Sequence, residues 1–153
     1  MNILKSLESA LTRMKQKRWD RIYILIDLHG TIIKPNQDPT IYEPYPYALE
    51  TLQILTKLDY TKIILWTCTR KEDVERVVEF FRGYNIEFDY YNENPEIQEL
   101  ELTDPTSLSF DNKLYYNLGL DDKFGFEKKY FLFIGFVIFG FNSWFEFLLL
   151  HLL

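Results

Sequence analysis

Cysteine is nearly absent. Cys68 stands alone in 153 residues, so no disulfide can close within the chain. That fits a reducing compartment. Positive charge is also short: 17 Lys and Arg against 23 Asp and Glu leave a net charge of -6. A phosphate backbone attracts a basic face, so this balance disfavours nucleic acid as a partner. It leaves room for one substrate phosphate held locally by a lysine and backbone N–H groups. The opening residues lack a long apolar run and carry Lys5, Arg13, Lys15, Lys17 and Arg18, which argues against a secretory signal and for a cytoplasmic location. No internal repeat is visible, and Lys and Arg vanish after Lys129.

What is there reads as one globular domain of alternating elements. Residues 1–20 predict an amphipathic helix, with Ile3, Leu4, Leu7, Leu11 and Met14 at helical spacing. The domain then runs over 21–153. Ile22–Ile26 is a short apolar run rich in β-branched residues that ends abruptly at Asp27, as a strand buried on both faces does. Four prolines between Lys34 and Pro46 predict a loop. A helix is expected over 47–58, a strand over 62–66 ending at Thr67, and a helix over 72–82 stopped by Gly83. A strand is expected over 86–91, a polar irregular stretch over 92–112, and a strand over 114–120 ending at Asp121-Asp122. Strands separated by helices imply right-handed crossovers and a parallel sheet.

Ligands of such sheets bind beyond the C-terminal ends of the strands. Three of the four expected strands end there in reactive or polar side chains: Asp27, Thr67 and Asp121-Asp122. Phosphoryl transfer needs this kind of inventory. A carboxylate can act as nucleophile, further carboxylates can hold a hard cation such as Mg²⁺, and hydroxyl, ammonium and loop N–H groups can stabilise the transferring oxygens. Each residue also has a plainer reading. Asp27 and Asp121-Asp122 suit turns, Thr67 suits a strand end, and Lys113 suits a solvated surface. Cys68, with no His after it until His151, reads as a small residue at a strand end rather than a nucleophile. Tyr42, Tyr45 and Tyr47 read as packing residues, not as a base-stacking platform.

Asp27-Leu28-His29-Gly30-Thr31 resembles motif I of the haloacid dehalogenase superfamily, Asp-x-Asp-Gly-Thr. Thr67 resembles motif II, Lys113 the motif III lysine, and Asp121-Asp122 the acidic motif IV, all in order over roughly residues 20–127. The 92–96 and 113–126 stretches also look like a small bacterial and phage-type subgroup. The resemblance implies a three-layer α/β/α Rossmann-like fold and a Mg²⁺-dependent hydrolase acting on a phosphorylated substrate. It makes Asp27 nucleophile and metal ligand, gives the His29 carbonyl a second metal contact, and has Asp121 and Asp122 complete the metal site. Thr67 and Lys113 then bind the phosphoryl oxygens. Neither interval between the motifs has room for an inserted cap domain, and a capless member is expected to act on a large substrate or under a partner subunit. One departure stands out: His29 replaces the Asp that usually serves as general acid and base. An imidazole titrates near neutrality and can do that work. The substitution keeps open a catalytically attenuated binding module and a non-phosphatase hydrolase using Asp27.

The apolar tail over 130–153 carries Glu146 as its one acidic residue. The favoured reading is a last buried strand over 131–139 and a helix over 143–152. The alternative is a membrane anchor of near-spanning length, with Lys128 and Lys129 keeping the domain on the cytoplasmic side. A third is the translated product of a frameshift.

Overall fold

The computed structural model describes residues 3–97 and 114–139. The elements are α1 (Ile3–Lys17), β1 (Ile22–Asp27), α2 (Ala48–Leu55), β2 (Thr61–Trp66), α3 (Lys71–Arg82), β3 (Tyr90–Tyr91), β4 (Leu118–Leu120), a 3-10 turn (Asp122–Phe124) and α4 (Tyr130–Phe139). The four strands form one sheet in the order β3-β2-β1-β4, and every pairing is parallel. β1 lies in the middle because its side chains are apolar on both faces, and all but Asp27 are buried. The result is the expected three-layer α/β/α Rossmann-like arrangement.

The two faces are covered differently. Ile22, Ile24, Ile26, Ile63 and Leu65 join one core cluster with Ile3 and Leu7 of α1, Leu52 of α2, Val77 and Phe81 of α3 and Phe131 of α4. Tyr23, Leu25 and Ile64 point the other way and meet Tyr90, Ile97, Leu114 and Tyr115. Residues 95–97 are helical on this second side. Glu96 ties them to the sheet, accepting hydrogen bonds from Tyr23 Oη at 2.6 Å, from Tyr90 Oη and from Arg21 at 3.1 Å. Burial alone would raise the Glu96 pKa, but the two tyrosine hydroxyls and Arg21 outweigh it and hold the carboxyl below its ordinary value.

Two strands are shorter than their sequence suggests, for a common reason. The stretch over 86–91 pairs as a strand only at Tyr90–Tyr91, because Asp89 supplies its own side chain: Ile63 N–H donates to Asp89 Oδ2 at 2.8 Å. The stretch over 114–120 pairs only from Leu118, because Tyr23 N–H donates to Asn117 Oδ1 at 2.7 Å. In both places a side-chain oxygen takes the place of a backbone carbonyl, and the ladder starts only at the following residue. Gly83 does not itself turn the chain out of α3. It keeps helical dihedrals, and Asn85 at φ 58° makes the reversal.

The tail requires a correction. Residues 131–139 were expected as a final strand and instead belong to the helix α4. An unbroken apolar run has no polar face to betray its period, so strand and helix cannot be told apart by pattern. α4 packs on α1 and α2. Phe131 is fully buried, and its carbonyl accepts a hydrogen bond from Thr51 Oγ1 at 2.8 Å. The helix expected over 143–152 lies outside the described residues. No helix among the described residues is long and apolar enough to cross a membrane.

Candidate active site

The register builds the site. Asp27 pairs with Trp66 across β1 and β2, and Ile26 pairs with Leu120 across β1 and β4. Thr67 and Asp121, each one residue further on, therefore leave the sheet at the same edge as Asp27. One carboxylate oxygen from each of Asp27, Asp121 and Asp122 lies within 4.8 Å of the others. Three anions this close repel, and two of their oxygens are buried without a hydrogen-bond partner: Asp27 Oδ2 and Asp122 Oδ1. Buried polar atoms are seldom left so. A hard divalent cation is the group that oxygen-only donors of this kind suit. Asp27 shows the strain of its setting. Burial, and then the Asp121 charge, push its carboxyl up to about 6, against the opposing hydrogen bond of Thr31.

Backbone economy draws the carboxylates together. Leu28 accepts from both Ile32 and Ile33 at 3.0 Å, which folds the chain sharply after Asp27. Gly30 sits at φ 85°, and a Cβ there would stand 2.8 Å from Asp122 Oδ2. Only glycine allows the loop to pass so close. Thr31, fully buried, accepts a hydrogen bond from Asp122 N–H at 2.9 Å and so fixes the second acidic residue over the first loop. Asp121 accepts from Lys123 N–H at 2.8 Å, which caps the start of the 3-10 turn that carries Asp122.

Thr67 is buried and held from two sides. Its N–H donates to Asn92 Oδ1 and its carbonyl accepts from Asn92 Nδ2, both at 2.8 Å. Its hydroxyl shares a hydrogen bond with Thr69 Oγ1 at 2.7 Å. Asn92 adopts φ 55°, a conformation that asparagine tolerates better than most residues. Sequence reasoning missed this clamp, although Asn92 opens a motif it had singled out. It also missed Thr31, the last residue of motif I, and Lys128, whose ammonium stands 3.8 Å from Asp122 Oδ2. The position of Lys128 just before the apolar tail gives no sign of this contact in the sequence. Lys113, expected beside the phosphate, lies outside the described residues.

His29 sits at the rim rather than in the carboxylate cluster. Loss of surrounding water holds its imidazole below the ordinary value. The local bridge between residues 29 and 33 is made by Ile33 N–H to Leu28 O and Gly30 N–H to Ile33 O, neither of which uses the His29 carbonyl. A cavity of about 430 Å³ opens beside His29, between the proline-rich loop and the start of α3. A larger groove of about 1060 Å³ runs along α3 and meets the site only near Thr69 and Asn92.

No protein-family model matches the chain, and no curated protein does. A solved structure of a conserved protein from Bacteroides thetaiotaomicron shares the fold at a TM-score of 0.51, with 30% sequence identity over 67% of this chain and 77% of that chain. At that identity and coverage, the chain belongs to the same family as this conserved Bacteroides thetaiotaomicron protein.

Proposed function

We propose that the chain is a Mg²⁺-dependent phosphohydrolase of the haloacid dehalogenase type, with Asp27 as its nucleophile. The observation that carries this reading is the carboxylate trio Asp27, Asp121 and Asp122 at the C-terminal ends of adjacent parallel strands, with two buried oxygens lacking partners. Asp27, Asp121, Asp122 and the His29 carbonyl would hold the cation. Bound there, it would relieve the mutual repulsion of the carboxylates and neutralise charge on the phosphoryl oxygens.

The reaction follows from the chain's own groups. An Asp27 oxygen attacks phosphorus, a P–O bond forms, and the bond to the leaving alcohol oxygen breaks as that oxygen takes up a proton from solvent water. Water then attacks the aspartyl-phosphate, phosphate leaves, and the Asp27 carboxylate is restored. Thr67, its backbone fixed by Asn92, is suited to donate its hydroxyl to a phosphoryl oxygen. Lys113 is assigned the same task by motif order. Lys128 lies near enough to Asp122 to temper its charge. His29, held below its usual pKa, is neutral at pH 7 and suited to accept a proton from the attacking water.

Turnover of a generic phosphate ester with and without Mg²⁺, in wild type and Asp27→Asn, tests the reading. Metal-dependent turnover lost in Asp27→Asn is expected. Equal turnover by the two proteins contradicts it.

A further inference from the structure

The loop between β1 and α2 is not slack. Its base is closed by Lys34 N–H to Glu43 O at 2.8 Å and Tyr45 N–H to Ile32 O at 2.9 Å. Within it, Asp38 N–H donates to Asn36 Oδ1 at 2.9 Å and Thr40 N–H to Asp38 Oδ1 at 2.8 Å. Prolines stiffen what the hydrogen bonds leave. This loop, the Thr69-Arg70 segment and the first half of α3 border the 430 Å³ cleft that His29 lines. Thr69 joins that cavity to the candidate site, since its hydroxyl shares a hydrogen bond with Thr67 Oγ1 at 2.7 Å, and His29 lines the cavity two residues beyond Asp27.

The lining has two characters. Pro39, Tyr42 and Val77 make an apolar wall. The Tyr42 ring is braced against Phe80, with centroids 5.0 Å apart. Gln37, Thr69, Arg70 and Asp73 make the polar side. The two charges there are not equivalent. The Asp73 carboxylate is engaged by Arg76, whereas Arg70 has no ion-pair partner among the described residues. The charge left for a ligand is therefore positive. The volume falls at the lower end of the ~300–1,000 Å³ typical of small-molecule pockets.

We infer that this cavity seats the leaving group of a small phosphate monoester, and that this group is a flat ring bearing an acidic substituent. The ring lies on Tyr42, Pro39 and Val77, and the acidic substituent pairs with Arg70, whose planar guanidinium matches a carboxylate. The inference rests on the phosphohydrolase reading and narrows it. It favours a small substrate over the large one expected of a capless member.

Three substrates with the same reacting group test it: 4-carboxyphenyl phosphate, phenyl phosphate and a phosphoserine peptide. With Mg²⁺, kcat/KM is expected to be about tenfold higher for 4-carboxyphenyl phosphate than for phenyl phosphate, the order expected of one charge-assisted pair. Arg70→Gln should erase that preference, and Tyr42→Leu should raise KM for both aryl esters. A preference for the phosphopeptide, or a carboxyphenyl preference that survives Arg70→Gln, overturns the assignment. Binding of 4-hydroxybenzoate to the wild-type protein, followed by NMR, separates the two readings. Binding weakened by Arg70→Gln, with no turnover of any ester, keeps the cavity and sinks the phosphohydrolase. Turnover without aryl preference and without 4-hydroxybenzoate binding does the reverse.

Discussion

Asp27 is held at a cost in the metal-free protein, and the cost has a definite pH signature. Its ordinary carboxyl pKa of 3.8 is pushed up to about 6 by burial and the Asp121 charge. The folded state therefore holds the proton longer than the unfolded one. Stability falls as pH rises between those two values and is lowest above them. Allowing for the partial exposure of the site, the penalty at pH 7 is on the order of 1–2 kcal/mol. Metal-free Asp27→Asn is expected to melt above wild type at pH 7, with the difference fading by about pH 4 in calorimetry. Mg²⁺ should stabilise wild type and not the variant. Gly30 makes a second prediction. With φ 85° and Asp122 Oδ2 only 2.8 Å from any added Cβ, Gly30→Ala is expected to lose about 1–2 kcal/mol of stability. Its Mg²⁺ affinity, read by titration calorimetry, should fall because the Asp122 carboxylate must move. Unchanged affinity would remove Asp122 from the metal site.

The elements place these residues, and here sequence reading had clear reach and a clear limit. β1 was legible because six residues, Ile22–Asp27, combine a β-branched apolar run with an abrupt polar end. β2 was legible for the same reason. β3 and β4 were overextended because Asp89 and Asn117 pair through side chains, which no hydrophobic pattern records. The Asn92 clamp on Thr67 was invisible because the two residues are 25 apart in the chain. That clamp is testable. Asn92→Ala removes two hydrogen bonds from the Thr67 backbone and is expected to weaken competitive inhibition by vanadate roughly tenfold, less than the loss of a preorganised oxyanion donor itself costs. A merely structural Asn92 would lower stability without changing the vanadate constant.

The molecule as a whole is a parallel sheet whose helical cover includes a segment, α4, that its composition disguised. Phe131 and Ile134 are buried against the core, so this part of the tail contributes to folding. Phe131→Ala should cost about 3–5 kcal/mol in denaturant unfolding. An anchor residue outside the core would cost almost nothing. The carboxylate cluster was legible as motif order, and the register of β1 against β2 and β4 accounts for why residues so distant in sequence share one edge. The central claim is that Asp27 is a nucleophile beside a bound cation. Beryllium fluoride, a mimic of the aspartyl-phosphate, tests it without knowledge of the substrate. In ¹⁹F NMR, wild type with Mg²⁺ is expected to show bound fluoride resonances that vanish without Mg²⁺ and in Asp27→Asn. Bound resonances of equal strength in Asp27→Asn, or none in the Mg²⁺-loaded wild type, would contradict the account.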